Sequence, residues 1–123
     1  MTGNVTRILA VDDEPSFCEL LEEFLTLQGF EVVTENDGNN AVEVFQSFNP
    51  HMVLLDIQMP GVSGLDILHE IKVLDKSVGV IMISAFGDAD TIKEAQARGA
   101  DYYLQKPIEF AVLMKKIEDF LVI

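Results

Sequence analysis

The sequence predicts an α/β domain of the doubly wound class, a five-stranded parallel sheet in the order 2-1-3-4-5 with five helices on its two faces. Three observations predict it. Short runs rich in Val, Ile and Leu alternate with longer stretches of helical periodicity along the chain. The runs are nearly continuous in apolar residues, as strands covered on both faces require. Polar residues follow four of the runs directly, at the carboxyl ends where such sheets bind ligands.

The first strand is expected over Thr6–Val11. In the helix after it, Phe17, Leu20, Leu21, Phe24 and Leu25 repeat at i, i+3, i+4, i+7 and i+8, and Gly29 follows as a stop. Glu19, Glu22 and Glu23 mark its solvated face. The second strand is expected over Glu31–Thr34, followed by a helix that buries Ala41, Val44, Phe45 and Phe48. The third strand, Met52–Leu55, leads to a helix that begins after Ser63, a plausible N-cap, and buries Leu68, Ile71 and Leu74. The fourth strand is expected over Val78–Ile83. Its helix, about Ala89–Arg98, offers only Ile92 and a few alanines, so it should be the least firmly anchored. A fifth strand over Asp101–Leu104 precedes a last helix that uses Phe110, Leu113, Met114, Ile117, Phe120 and Leu121.

A chain of 123 residues is the size of one domain, and an apolar content of 49% supports a packed core. No apolar run approaches the roughly 18 residues of a membrane span. The first residues, MTGNVTR, lack the pattern of a secretion signal, and the single cysteine, Cys18, has no internal disulfide partner, so a cytoplasmic location is expected. The net charge of −13 disfavours direct contact with nucleic acid or anionic membrane. It is also lopsided: residues 1–60 hold eleven acids and one base, residues 61–123 ten acids and seven bases. Cations and basic partners should prefer the first half.

The strand ends carry Asp12 and Asp13, Asp56, Ser84 and Lys106. Neighbouring strands lie about 4.8 Å apart, so Asp56 can meet groups on either side, while Lys106, two strands away, must span about 10 Å. Three carboxylates this close repel one another unless a cation sits among them, and Mg²⁺ is the natural candidate because it takes one or two carboxylates and accepts a phosphate oxygen. Asp56 is then a nucleophile towards a phosphoryl group, with the cation, Ser84 and Lys106 stabilising charge on its oxygens. Taken singly, Asp13 would serve as a helix cap ahead of Pro15, Ser84 as a strand-end hydroxyl and Lys106 as a solvated lysine. Their convergence on adjacent strand ends is what points to chemistry.

The motifs VDDEPSF, LLDIQMPGVSG, MISAFGD and YYLQKP, in this order and spacing, resemble those of bacterial two-component response-regulator receiver domains over nearly the whole chain. The resemblance implies that Asp56 is the phosphoacceptor and that Asp12 and Asp13 bind Mg²⁺ together with Asp56 and the Gln58 carbonyl. It implies a phosphate contact for Ser84 and a phosphoryl bond for Lys106. Tyr103 falls at the family's switch aromatic, Ser84 at its partner in the switch, and Pro107 at a cis peptide. Gln58 and Phe86 occupy the two positions that tune the lifetime of the phosphoryl group. Ser84 stands where threonine is commoner, and Ser63 where an acid or Asn is common.

The resulting expectation is a phosphorelay receiver spanning residues 1–123, with no output domain in this chain, whether it stands alone or is cut from a longer regulator. It takes a phosphoryl group from a sensor histidine kinase or phosphotransfer protein and signals to an output through the face of the fourth helix, fifth strand and fifth helix. It turns over only itself and is in that sense not an enzyme. An aspartate-nucleophile phosphatase of the haloacid-dehalogenase type would need a general acid at position 58 and room for a cap domain. A flavin carrier on the same flavodoxin-like fold would need a Ser/Thr/Gly-rich loop where VDDEP stands. Cys18 is expected to be an inert helix residue, His51 and His69 surface residues, and Met52, Met59, Met82 and Met114 core filling.

Overall fold

The computed structural model describes residues 5–121. Five parallel strands form one sheet: β1 (Arg7–Val11), β2 (Glu31–Glu35), β3 (Met52–Leu55), β6 (Gly79–Ser84) and β7 (Tyr102–Gln105). Their order, β2-β1-β3-β6-β7, is the expected one once a separate two-stranded hairpin, β4 (Gln58–Met59) and β5 (Val62–Ser63), is set aside. The five helices are α1 (Pro15–Leu27), α2 (Ala41–Phe48), α3 (Gly64–Leu74), α4 (Ala89–Ala97) and α5 (Phe110–Leu121).

Successive residues of a strand point to opposite faces, and the core divides accordingly. Leu9, Val11, Val53, Leu55, Val80 and Met82 pack with Ala41 and Phe45 of α2, Ile67, Leu68 and Ile71 of α3, and Ala95 of α4. Ile8, Ala10, Met52, Leu54, Ile81 and Ile83 pack with Leu21 and Leu25 of α1 and Leu113 and Ile117 of α5. Every residue of β3 and β6 is buried, and apart from Gly79 and Ser84 at the two ends of β6 both strands are apolar throughout.

Four expectations need correction. Leu20 and Leu74 are about half exposed, and Cys18 and Ile67 are buried instead. Leu74 is the last residue of α3 and lines an open groove between α2 and α3 with Val42 and Val73, so helical period alone does not bury it. The fourth and fifth strands begin and end one residue later than expected, which brings Ser84 inside β6. Asp101 stands outside β7: its carboxylate accepts the Val80 N–H at 2.8 Å and the Lys72 ammonium at 3.1 Å, tying the entry of β7 to β6.

Ser63 caps α3 as expected, its hydroxyl accepting the Leu65 N–H. In α4 only Ala95 is fully buried, and the helix is tied to α3 by Arg98, which pairs with Asp66 and Glu94. His51 is exposed, with its Nδ1 accepting the Arg7 N–H. Met52, Met59 and Met82 are core residues, whereas Met114 is only partly buried. Among the described residues no helix is long and apolar enough to cross a membrane.

Candidate phosphoacceptor site

Each strand that feeds the site is paired one residue past its end. Asp12 donates its N–H to the Glu35 carbonyl, Asp56 to that of Val11, and Lys106 to that of Ser84. These bonds fix three side chains on the same rim of the sheet. Carboxylate oxygens of Asp12, Asp13 and Asp56 then lie within 4.8 Å of one another.

Asp12 and Asp56 are almost fully buried, at 2% and 7% exposure, while Asp13 is partly open. Asp56 Oδ1 accepts the N–H of Ile57 at 2.8 Å. Burial, and next the neighbouring charge of Asp12, push the Asp56 carboxyl up to about 6, against the pull of Lys106. Burial raises Asp12 as well. The Cys18 thiol lies beneath, 3.4 Å from the Asp12 carbonyl, and burial followed by the Asp12 charge pushes it up to about 11, so it is an inert thiol as expected.

Asp13 does not cap α1. Glu14 holds the N-cap position, and its N–H donates to Asp12 Oδ1 at 3.0 Å. The Asp13 carboxylate is therefore not needed by the helix. Three carboxylates converging through oxygen atoms alone form a donor set suited to a hard divalent cation such as Mg²⁺, and their mutual repulsion is the force such an ion would relieve.

Lys106 spans the expected distance. Its Nζ lies 2.8 Å from Asp12 Oδ2, 2.7 Å from Glu14 Oε1 and 3.7 Å from Asp56 Oδ2. Burial alone would lower its pKa, but the bonds to Asp12 and Glu14 prevail and hold it protonated. The Lys106–Pro107 peptide is cis. Glu14, and Phe17 with its ring centroid 4.6 Å from Nζ, are contacts that sequence reasoning did not assign to the site. The available signal was the third acid in the run Asp12-Asp13-Glu14.

The remaining residues lie around this centre. Ser84 is buried at the end of β6, and its hydroxyl accepts the Phe86 N–H at 3.2 Å. The Tyr103 hydroxyl donates to the Phe86 carbonyl at 2.6 Å, so both expected switch residues hold the same loop residue. Phe86 is 41% exposed and thus not absorbed into the α4 packing. Gln58 is exposed on β4, where the hairpin turns through Pro60 and Gly61, the latter at φ 79°.

The sequence model of the response regulator receiver domain matches residues 8–118. The chain belongs to this family. As a receiver it is 31% identical to sporulation initiation phosphotransferase F of Bacillus subtilis over 94% of this chain and 93% of that protein. It is 39% identical over 98% of its length to a probable transcriptional regulator, ycf27, of Cyanophora paradoxa, but spans only half of that protein. Among solved structures, the response regulator TrrA of Thermotoga maritima, in complex with Mg²⁺ and beryllium fluoride, superposes with a TM-score of 0.86 at 38% identity, over 95% of this receiver and all of TrrA.

Proposed function

We propose that this receiver takes a phosphoryl group onto Asp56 and passes the change to a partner surface. The observation that carries this is the convergence of the Asp12, Asp13 and Asp56 oxygens within 4.8 Å, with the Lys106 ammonium 3.7 Å from Asp56. A lone pair of the Asp56 carboxylate forms the new O–P bond. The bond from phosphorus to the leaving atom breaks, and its electrons go to that atom, an imidazole nitrogen of a phosphohistidine or the acyl oxygen of acetyl phosphate. Asp12, Asp13 and Asp56 would hold Mg²⁺, with the Gln58 carbonyl as a further ligand. Mg²⁺, when bound, supplies positive charge to the phosphoryl oxygens. Lys106 and the Ser84 hydroxyl bond those oxygens directly.

The donor is a sensor histidine kinase or a phosphotransfer protein; the Bacillus relative bears the name of a phosphotransferase. The net charge of −13 argues against direct contact with nucleic acid or anionic membrane. Acetyl phosphate and Mg²⁺ are expected to add one phosphoryl group by intact mass, and chelation of the metal to prevent it. Full labelling in the presence of excess chelator would contradict the role given to the acid cluster.

For output, Ser84 turning towards the phosphoryl group must give up its bond to the Phe86 N–H, and Tyr103 then loses the loop carbonyl it holds. The face of α4, β7 and α5 is the surface this would change, because α4 has the thinnest anchorage. Mg²⁺ with beryllium fluoride should alter hydrogen exchange between Ser84 and Lys106. Unchanged protection there would place the switch elsewhere.

Gln58 and Phe86 set the lifetime. Neither is an acid or base able to activate water, and the Phe86 ring stands free of the α4 core to screen the acyl phosphate from in-line attack. Phe86→Asn is expected to hasten decay by several-fold at equal Mg²⁺ and temperature. Equal first-order rates would remove Phe86 from the mechanism.

A further inference from the structure

The Lys106 ammonium is not directed at Asp56. It sits 2.8 Å from Asp12 Oδ2 and 2.7 Å from Glu14 Oε1, with Asp56 Oδ2 more distant at 3.7 Å. The Phe17 ring, one turn along α1 from Glu14, faces the same ammonium at 4.6 Å. Asp12, Glu14 and Phe17 together hold Lys106 on the α1 side of the carboxylate it is to serve.

Glu14 is available for this because α1 does not use its side chain. It is the N-cap residue, in extended conformation, yet makes no side-chain bond to the helix. Glu is outside the group of residues favoured for capping, and its own N–H donates to Asp12 Oδ1. The Glu14 carboxylate instead reaches a residue 92 positions away. Its side chain is 60% exposed and Lys106 only 17%, so the acid is the free member of the pair and the lysine the fixed one.

We propose that Glu14 is a positioning residue that competes with the phosphoryl group for Lys106, and thereby weakens phosphoryl binding at Asp56. The proposal rests on the phosphoacceptor role given to Asp56 above. When a cation draws on the Asp12 carboxylate, Glu14 is the acid still within bonding distance of the ammonium. Lys106 must leave Glu14 to bond a phosphoryl oxygen on Asp56, and it returns to Glu14 on hydrolysis. The effect depends on reach as well as charge, because a side chain one methylene shorter keeps the charge but loses contact with Nζ.

Calorimetric titration with Mg²⁺ and beryllium trifluoride separates the possibilities, and Glu14 is exposed and caps nothing, so its variants fold. Glu14→Gln is expected to bind the analogue about fivefold more tightly, the scale of an exposed ion pair. Glu14→Asp should also bind more tightly than the wild type. In a Lys106→Met background the effect of Glu14→Gln should fall below about twofold, since the interaction then has no second partner. Unchanged affinity in Glu14→Gln overturns the proposal. So does wild-type affinity in Glu14→Asp, which would leave only bare charge, or a full gain that persists without Lys106. Absence of binding by the wild-type protein would overturn the phosphoacceptor role itself, an outcome distinct from equal binding by all forms.

Discussion

Gly64→Ala is expected to lower stability by about 3 kcal/mol and to impair phosphoryl uptake together, because one added methyl group would press on the backbone of Asp56. A Cβ at Gly64 would collide with the carbonyl oxygen of Asp56, and it would stand 2.7 Å from the Asp56 carbonyl carbon and 2.8 Å from the Ile57 Cα. All three are backbone atoms at the end of β3, so no side chain can swing away. The Gly64 N–H donates to the Ile57 carbonyl at 2.6 Å, which clamps the start of α3 under the site. Relief requires α3 to retreat or Asp56 to move, and movement of Asp56 displaces its carboxylate from Asp12 and Lys106. Ser63→Ala is the control: it loses the bond to the Leu65 N–H and about 1 kcal/mol, but leaves Asp56 in place. Urea unfolding with parallel acetyl phosphate labelling checks both. A Gly64→Ala protein with wild-type stability and labelling would show that the contact relaxes without cost.

The second large effect is in pH. Burial and the Asp12 charge raise Asp56 to about 6 in the folded protein, against about 3.9 for a free aspartate. The folded state therefore keeps this proton to higher pH than the unfolded one. Its contribution to stability is complete below about pH 4 and is lost as pH rises through about 6. At about 1.4 kcal/mol per unit, metal-free wild type should lose about 3 kcal/mol from this group. Burial raises Asp12 in the same direction. Asp75 and Asp88, whose side-chain bonds to Ser77 and Thr91 lower them, act oppositely, but are common to wild type and variant. Asp56→Asn keeps an oxygen for the Ile57 N–H and cannot ionise. Its advantage over the wild type in chelator should grow by about 3 kcal/mol between about pH 4 and pH 8, and saturating Mg²⁺ should reduce it. A constant difference across that range would mean that burial does not hold Asp56 in its neutral form.

Much of this was legible in the chain because two patterns coincide. Met52–Leu55 and Val80–Ile83 are apolar without a break, since both faces of β3 and β6 are covered, and that predicts a parallel sheet. Asp12, Asp56 and Ser84 are then each the first polar residue beyond, or the last within, such a run, while Lys106 follows the polar Gln105 that ends β7. What was not legible is of three physical kinds. The hairpin of Gln58–Met59 and Val62–Ser63 has two residues per strand, too few for any period to declare itself. The exposure of Leu74 depends on where α2 and α3 part, which helical spacing in one segment does not encode. The contact of Glu14 with Lys106 joins residues far apart in sequence, and becomes visible only when α1 and the loop after β7 lie side by side. Asp13 was expected to be a cation ligand, and the alternative of a helix cap falls away because Glu14 holds the N-cap position.

The central claim is that Asp56 is the nucleophile, and its most direct measurement is the intact mass of wild type and Asp56→Asn after incubation with acetyl phosphate and Mg²⁺, followed by borohydride reduction of the acyl phosphate and peptide mapping. The account predicts one phosphoryl group on the wild type, reduction at Asp56 alone, and no label on Asp56→Asn. Full labelling of Asp56→Asn, or reduction mapped to Asp12 or Asp13 in the wild type, would contradict it.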